Sequence, residues 1–328
     1  MGEERPARKH RRRVVALVSG FLVLALLTVV MMPNSSPVGH WDGREGHERF
    51  VRAYTEAFQE MPEPEETLDV RTNHGIVRVH RFAGSTDREH PLVLLPGRAS
   101  ASPVWAGNLP SLLEVGDVYT IDLLGEPGMS VQERPIEDDE DQASWLHQTL
   151  RSLPEDGFHL VGLSIGGWTA VNLALRRPEP VVGLITIDPV FVFADIPLGT
   201  VVRSLPATLP WLPRSWRDGF NSWTAGGAPV EDEPVAEMIE AGMQHYTLRL
   251  PQPTRIGEEE LAGLDVPVLA IIAEESVMHD AASAVEVAER ALPEDATVNL
   301  YPGASHAVNG EHPHRIAADI ADFLSERG

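Results

Sequence analysis

The stretch Gly162-Leu163-Ser164-Ile165-Gly166 constrains the fold more than any other part of this chain. It fits G-x-S-x-G, a pattern that sets a serine on a sharp turn between a strand and a helix. Phe158-His159-Leu160-Val161 before it is an apolar run that reads as a buried strand. Gly167-Trp168-Thr169-Ala170-Val171-Asn172-Leu173-Ala174-Leu175 after it reads as a helix. The flanking glycines suit a turn that leaves no room for side chains. A serine so placed projects its hydroxyl outward. The amide of Ile165, at the new helix's N-terminus, is then free to hold a developing oxyanion.

The surrounding sequence repeats a strand-then-helix rhythm. Thr67–Arg71 and Ile76–His80 alternate apolar and polar residues around the turn Asn73-His74-Gly75, which predicts an antiparallel hairpin. Apolar strands are expected at Pro91–Leu95, Val118–Ile121, His159–Leu163, Val182–Ile187, Val266–Ile272 and Thr297–Tyr301. Helical periodicity marks Asp141–Leu153 and His314–Glu326. Alternating strands and helices predict an α/β fold with a doubly wound, mostly parallel sheet. Almost eighty residues separate the strands ending near Ile187 and starting near Val266. A structureless loop of that length is unusual in a compact domain. The segment, about 190–263, is expected to form a helical cap, with Phe191, Phe193, Trp211 and Trp223 lining an apolar acyl or alcohol pocket.

Charge is unevenly spread. The net charge is -23, yet the first thirteen residues carry +4, so the remainder carries -27. A body this acidic disfavours nucleic acid, which needs clustered cations. No cysteine is present, which excludes disulfides and thiolate chemistry. Val14–Met32 is a 19-residue run without charge. As a helix it would span about 28 Å, close to the thickness of a bilayer core. With the basic cluster ahead of it, the run predicts a transmembrane signal-anchor: 1–13 a cytoplasmic tail, 14–32 the span, 33–64 a linker and 65–328 an extracytoplasmic domain. Secretion after signal cleavage is the alternative. The linker is expected to contain a short amphipathic helix within Gly46–Glu60.

Taken in order, four motifs resemble the α/β-hydrolase fold superfamily. They are Leu94-Leu95-Pro96-Gly97-Arg98, Asp122-Leu123-Leu124-Gly125-Glu126-Pro127-Gly128-Met129-Ser130, the turn at Gly162–Gly166, and Gly303-Ala304-Ser305-His306 before a terminal helix. Many members carry His-Gly where this chain has Pro96-Gly97. The resemblance covers roughly 67–328 and implies a triad in the chain order Ser, acid, His. Ser164 would be the nucleophile and His306 its base. Backbone amides of Ile165 and Arg98 would form the oxyanion hole. The acid is left open. The family position after the penultimate strand reads Ala273-Glu274-Glu275-Ser276, so serine stands where a carboxylate is expected. Asp188, ending the preceding strand, Asp280, before the next helix, and Glu274 or Glu275 are the candidates.

The resemblance implies a serine hydrolase acting on a carboxylic ester or related small acyl compound through an acyl-enzyme, with no cofactor or metal. An aminopeptidase, thioesterase, lactonase or perhydrolase would use the same triad. A non-catalytic binding or sensing module of the same fold is the reading that Ser276 favours. The oligomeric state is not encoded in any motif.

Overall fold

A computed structural model of the chain describes residues 36–209, 211–230 and 233–326. Its centre is one nine-stranded mixed sheet. The strands are β2 (Glu66–Arg71), β3 (Gly75–Phe82), β4 (Leu92–Leu95), β5 (Val118–Ile121), β6 (Val131–Gln132), β7 (Phe158–Leu163), β8 (Val181–Ile187), β10 (Val268–Ala273) and β11 (Thr297–Tyr301). Two short strands, β1 (His40–Trp41) and β9 (Tyr246–Thr247), pair separately.

The order across the sheet is β11-β10-β8-β7-β4-β5-β3-β2, with β6 on β3. Strands from β5 to β11 along this order run parallel, and β2, β3 and β6 join antiparallel. The central strands read as unbroken apolar runs because both of their faces are buried. One face is covered by α2 (Asp139–Leu150), α3 (Ile165–Arg176) and α7 (Ala281–Ala291), through Trp145, Leu146, Trp168, Val171, Ala284 and Ala288. The other is covered by Trp105, Leu109 and Leu112 together with Ile316, Ile320 and Phe323 of α8 (Pro313–Ser325).

Between β8 and β10 lie α4 (Leu198–Ser204), α5 (Arg214–Thr224) and α6 (Pro234–His245). A buried ion pair ties α5 to α6: Arg217 gives two 2.8 Å hydrogen bonds to Glu240, and the two residues are 0% and 1% exposed. The arm ahead of the sheet is also folded. Helix α1 (Arg44–Phe58) packs Phe50, Ala53 and Tyr54 against Met238 and Ala241 of α6. Arg49 bonds Glu237 at 2.6 Å and Gln244 at 2.7 Å, and β1 pairs with β9.

The expected membrane span, Val14–Met32, lies outside the described residues. Among the described residues no helix is long and apolar enough to cross a membrane. The longest, α1, has 15 residues and carries Arg44, Glu45, Glu48, Arg49, Arg52 and Glu56. A span needs roughly 20 mostly apolar residues. The fold class is therefore corrected to a mixed α/β sheet with its helices. The single-pass, extracytoplasmic placement and the membrane as a partner lose their support and are withdrawn.

Candidate active site

The site is assembled where strands end. Ser164 N donates to Ile187 O at 3.0 Å, Asp188 N to Ile271 O at 2.8 Å, and Glu274 N to Tyr301 O at 3.1 Å. These bonds cross the C-terminal edges of β7, β8, β10 and β11 in turn, which fixes the heights of the residues that follow each strand. In open α/β sheets this edge is where ligands bind.

Ser164 follows β7 directly and caps α3, with φ 54° and ψ -116°. A serine at positive φ is strained, and such strain is held only by surrounding structure. Two glycines supply that structure. A Cβ on Gly162 would lie 2.3 Å from Gly166 O, and one on Gly166 would lie 2.2 Å from Leu95 O. Both positions therefore exclude side chains, so β7, the turn and β4 approach closely.

His306 lies in the loop after β11. Its Nε2 is 3.0 Å from Ser164 Oγ, and its Nδ1 is 2.5 Å from Asp188 Oδ2. Glu311 braces this loop by accepting from Ser305 N at 2.9 Å and Ser305 Oγ at 2.5 Å. Glu274 braces it from β10, accepting from Gly303 N at 2.8 Å.

Asp188 is fully buried and accepts four hydrogen bonds. Besides His306, Ser276 Oγ donates to Oδ2 at 2.6 Å, Ala273 N to Oδ1 at 2.9 Å, and His279 Nε2 to Oδ1 at 2.7 Å. Burial alone would raise its pKa. The hydrogen bonds from His279 and His306 outweigh burial and hold it well below the usual carboxylate range. A charged carboxylate only accepts, so the ring nitrogens facing it carry the hydrogens. His306 then has Nε2 free to accept from the Ser164 hydroxyl. Such an arrangement can take the serine proton as the oxygen attacks a carbonyl.

The remaining candidates for the acid lie elsewhere. Asp280 is exposed and caps α7, with Oδ1 accepting from Ser283 N at 2.8 Å. A helix cap consumes the carboxylate, and the side chain does not join the cluster. Glu275 is exposed, and Glu274 is engaged with Gly303.

Gly97 borders Ser164: a Cβ there would lie 3.7 Å from Ser164 Cβ. Arg98 follows it, so its amide sits in the loop beside the serine. Its guanidinium pairs with buried Glu126 at 3.2 Å, and Glu126 also accepts from Ala99 N at 3.1 Å. A cavity of about 10 Å³, room for a single water, lies next to this loop and is lined by Arg98, Glu126, Trp145, Ile165, Trp168 and Leu250, among others. Phe193 is buried in the core and Phe191 packs against it. Trp223 lies under Arg203, and Trp211 is 77% exposed. None of these four aromatics lines that cavity.

Ser276, His279, Glu126 and Glu311 were not assigned roles by the sequence. Ser276 stands out in a sequence only as a missing carboxylate. His279 belongs to no motif, and only its burial against Asp188 reveals it.

A serine on a strand-to-helix turn, a strand-end aspartate and a late histidine meeting at one edge of a mixed sheet are the arrangement of an α/β hydrolase. A model of the Alpha/beta hydrolase family matches residues 92–319, and the chain belongs to that family. It is similar to the carboxylesterase YbfK of Bacillus subtilis, at 27% identity over 84% of this chain and 93% of that protein. It is also similar to the uncharacterized carboxylesterase nap of the same organism, at 25% identity over 84% of this chain and 92% of that protein. The crystal structure of YbfK superposes with a TM-score of 0.77 at 25% identity, covering 86% of this chain and 99% of that one.

Proposed function

We propose that this protein is a serine hydrolase that cleaves carboxylic esters, with Ser164 as nucleophile, His306 as base and Asp188 as the acid. The observation that carries the reading is the chain of contacts Ser164 Oγ, His306 Nε2, His306 Nδ1, Asp188 Oδ2, at 3.0 and 2.5 Å. Ser164 attacks the ester carbonyl while His306 takes its proton at Nε2. The amides of Ile165 and Arg98 receive the developing oxyanion. His306 returns the proton to the leaving alcohol. Water, deprotonated by the same nitrogen, then releases the acid from the acyl-enzyme. Asp188 holds the Nδ1–H tautomer and stabilises the imidazolium without itself taking the proton.

Carboxylesterase names among the relatives favour an ester over the thioester, lactone, peptide and peracid substrates of the same chemistry. The feature that favoured a non-catalytic module, serine at 276, has another account, since its hydroxyl donates to Asp188. Residues 65–328 are read as the hydrolase domain, with about 190–263 as a cap over the site.

A panel of p-nitrophenyl esters, a thioester, a lactone and an aminoacyl anilide tests the class. Esters should be cleaved fastest, and a fluorophosphonate probe should label Ser164. Preferential cleavage of the anilide or thioester, or labelling that survives Ser164→Ala, would overturn the assignment.

A further inference from the structure

Asp188 meets a second imidazole that Ser-His-acid chemistry does not require. His279 Nε2 lies 2.7 Å from Oδ1, while His306 Nδ1 lies 2.5 Å from Oδ2. His279 follows β10 and is 5% exposed. It is held there from within its own turn, because Met278 N donates to Ser276 Oγ at 3.3 Å and that hydroxyl donates to Asp188. Facing an ionised carboxylate, His279 presents Nε2–H. Its Nδ1 is buried and finds no hydrogen-bond partner. Among the described residues, Asp188 and the exposed neighbour Asp280 both interact electrostatically with this ring, and His306 lies beyond Asp188.

We propose that His279 is a positioning residue that sets the strength of the base: by giving Nε2–H to Asp188 Oδ1 it fixes the carboxylate and draws part of its charge away from His306. The proposal rests on the triad reading above. Asp188 stabilises an imidazolium at His306 through its charge and its Oδ2 hydrogen bond. Each further donor on that carboxylate disperses the charge. Less of that charge is then left to stabilise an imidazolium at His306, so loss of the His279 donor should favour the protonated base. The plane of the carboxylate is fixed too, because donors occupy both oxygens: Ala273 N and His279 on Oδ1, Ser276 and His306 on Oδ2.

The test compares wild type, His279→Phe and His279→Gln by the pH profile of kcat/KM on p-nitrophenyl acetate. His279→Phe should move the acidic limb up by about half to one pH unit and lower the plateau kcat about 10- to 100-fold. His279→Gln keeps an N–H donor and should return the limb to its wild-type place. A His279→Phe limb that coincides with wild type overturns the proposal, even if the variant melts earlier. Should His279→Phe not fold, the imidazole proton spectrum of the wild-type protein decides. Two low-field N–H signals that both move in Asp188→Asn support the proposal, and one such signal overturns it. Ser164→Ala, assayed alongside, separates the two levels. Full activity there defeats the triad reading, whereas its loss with an unmoved His279→Phe limb defeats only the role given to His279.

Discussion

The Ser276 hydroxyl stands 2.6 Å from Asp188 Oδ2, the oxygen that His306 Nδ1 also reaches. The serine comes from the turn after β10 and the acid from the end of β8, so one strand supplies the charge and its neighbour supplies a donor. Ser276→Ala removes that donor and should lower kcat about tenfold with little change in KM. Ser276→Asp puts a second carboxylate against the first. Like charges that close cannot both ionise freely, so this variant should need higher pH for activity than wild type. Steady-state kinetics from pH 5 to 9 would read both effects, and a Ser276→Asp enzyme with an unshifted profile would count against the arrangement.

Removing the acid's charge is the sharper perturbation. Asp188→Asn should lower kcat by about 10⁴-fold, because the amide stabilises no imidazolium and can favour the wrong tautomer. Asp280→Ala should leave kcat unchanged and lower the melting temperature only slightly through a frayed first turn of α7. If the two variants lose activity equally, Asp188 is not the acid.

The backbone at the nucleophile stores strain. Ser164→Gly should abolish hydrolysis but relaxes a φ of 54°, so the variant should be more stable than wild type by about 1 kcal/mol once glycine's entropic cost is counted. Gly166→Ala acts in the opposite sense. Its Cβ would stand 2.2 Å from Leu95 O, so the turn must separate from β4, at a cost of about 1–3 kcal/mol. Urea denaturation of the two proteins should place them on opposite sides of wild type.

Stability should also follow pH through buried groups. Burial, assisted by His90 and Arg88, pushes His159 down to about 4, and burial pushes His80 down to about 4 against the pull of Asp122. The unfolded chain titrates these imidazoles near ~6.5, so it binds protons before the folded protein does. Their contribution is complete above that value and is lost as pH falls toward 4. Asp188, held low when folded, adds stability above the unfolded carboxylate value of ~3.9 and loses it only in stronger acid. Unfolding free energy should therefore climb between pH 4 and 6.5, and His159→Leu should flatten that climb.

The α5–α6 ion pair gives a local prediction. Arg217→Met leaves Glu240 charged and buried without its partner, which should cost about 3–5 kcal/mol. Arg217→Met with Glu240→Leu should recover most of it. Proteolysis within 198–245 would report the loss before the sheet unfolds.

Much of this fold was legible because its signals are local. The central strands announce themselves as apolar runs, and Val118–Ile121 and Thr297–Tyr301 fall where the sequence put them. Ser164 and His306 were legible because each sits in a short motif whose glycines and small residues the geometry needs. Asp188 could only be one candidate among several, since a strand-end aspartate looks the same whether it faces a histidine or solvent. What settles its surroundings is the order of β8, β10 and β11 in the sheet, which brings residues 88 and 118 positions away against it. The membrane reading rested on Val14–Met32 and the basic cluster ahead of it, and no described helix lends it support. His279 was invisible for the same reason that Asp188 was ambiguous, because its partner is remote in sequence.

The folded arm ahead of the sheet decides where the chain can be cut. A clone trimmed to begin at Glu65 would discard β1 and α1, stripping β9 of its pairing strand and leaving Met238 and Ala241 bare to water. Arg214 would be left as the one remaining guanidinium on Glu237. Such a fragment would expose a sticky apolar seam and tend to precipitate, so a shortened version suited to expression should keep every residue from Ser36 onward.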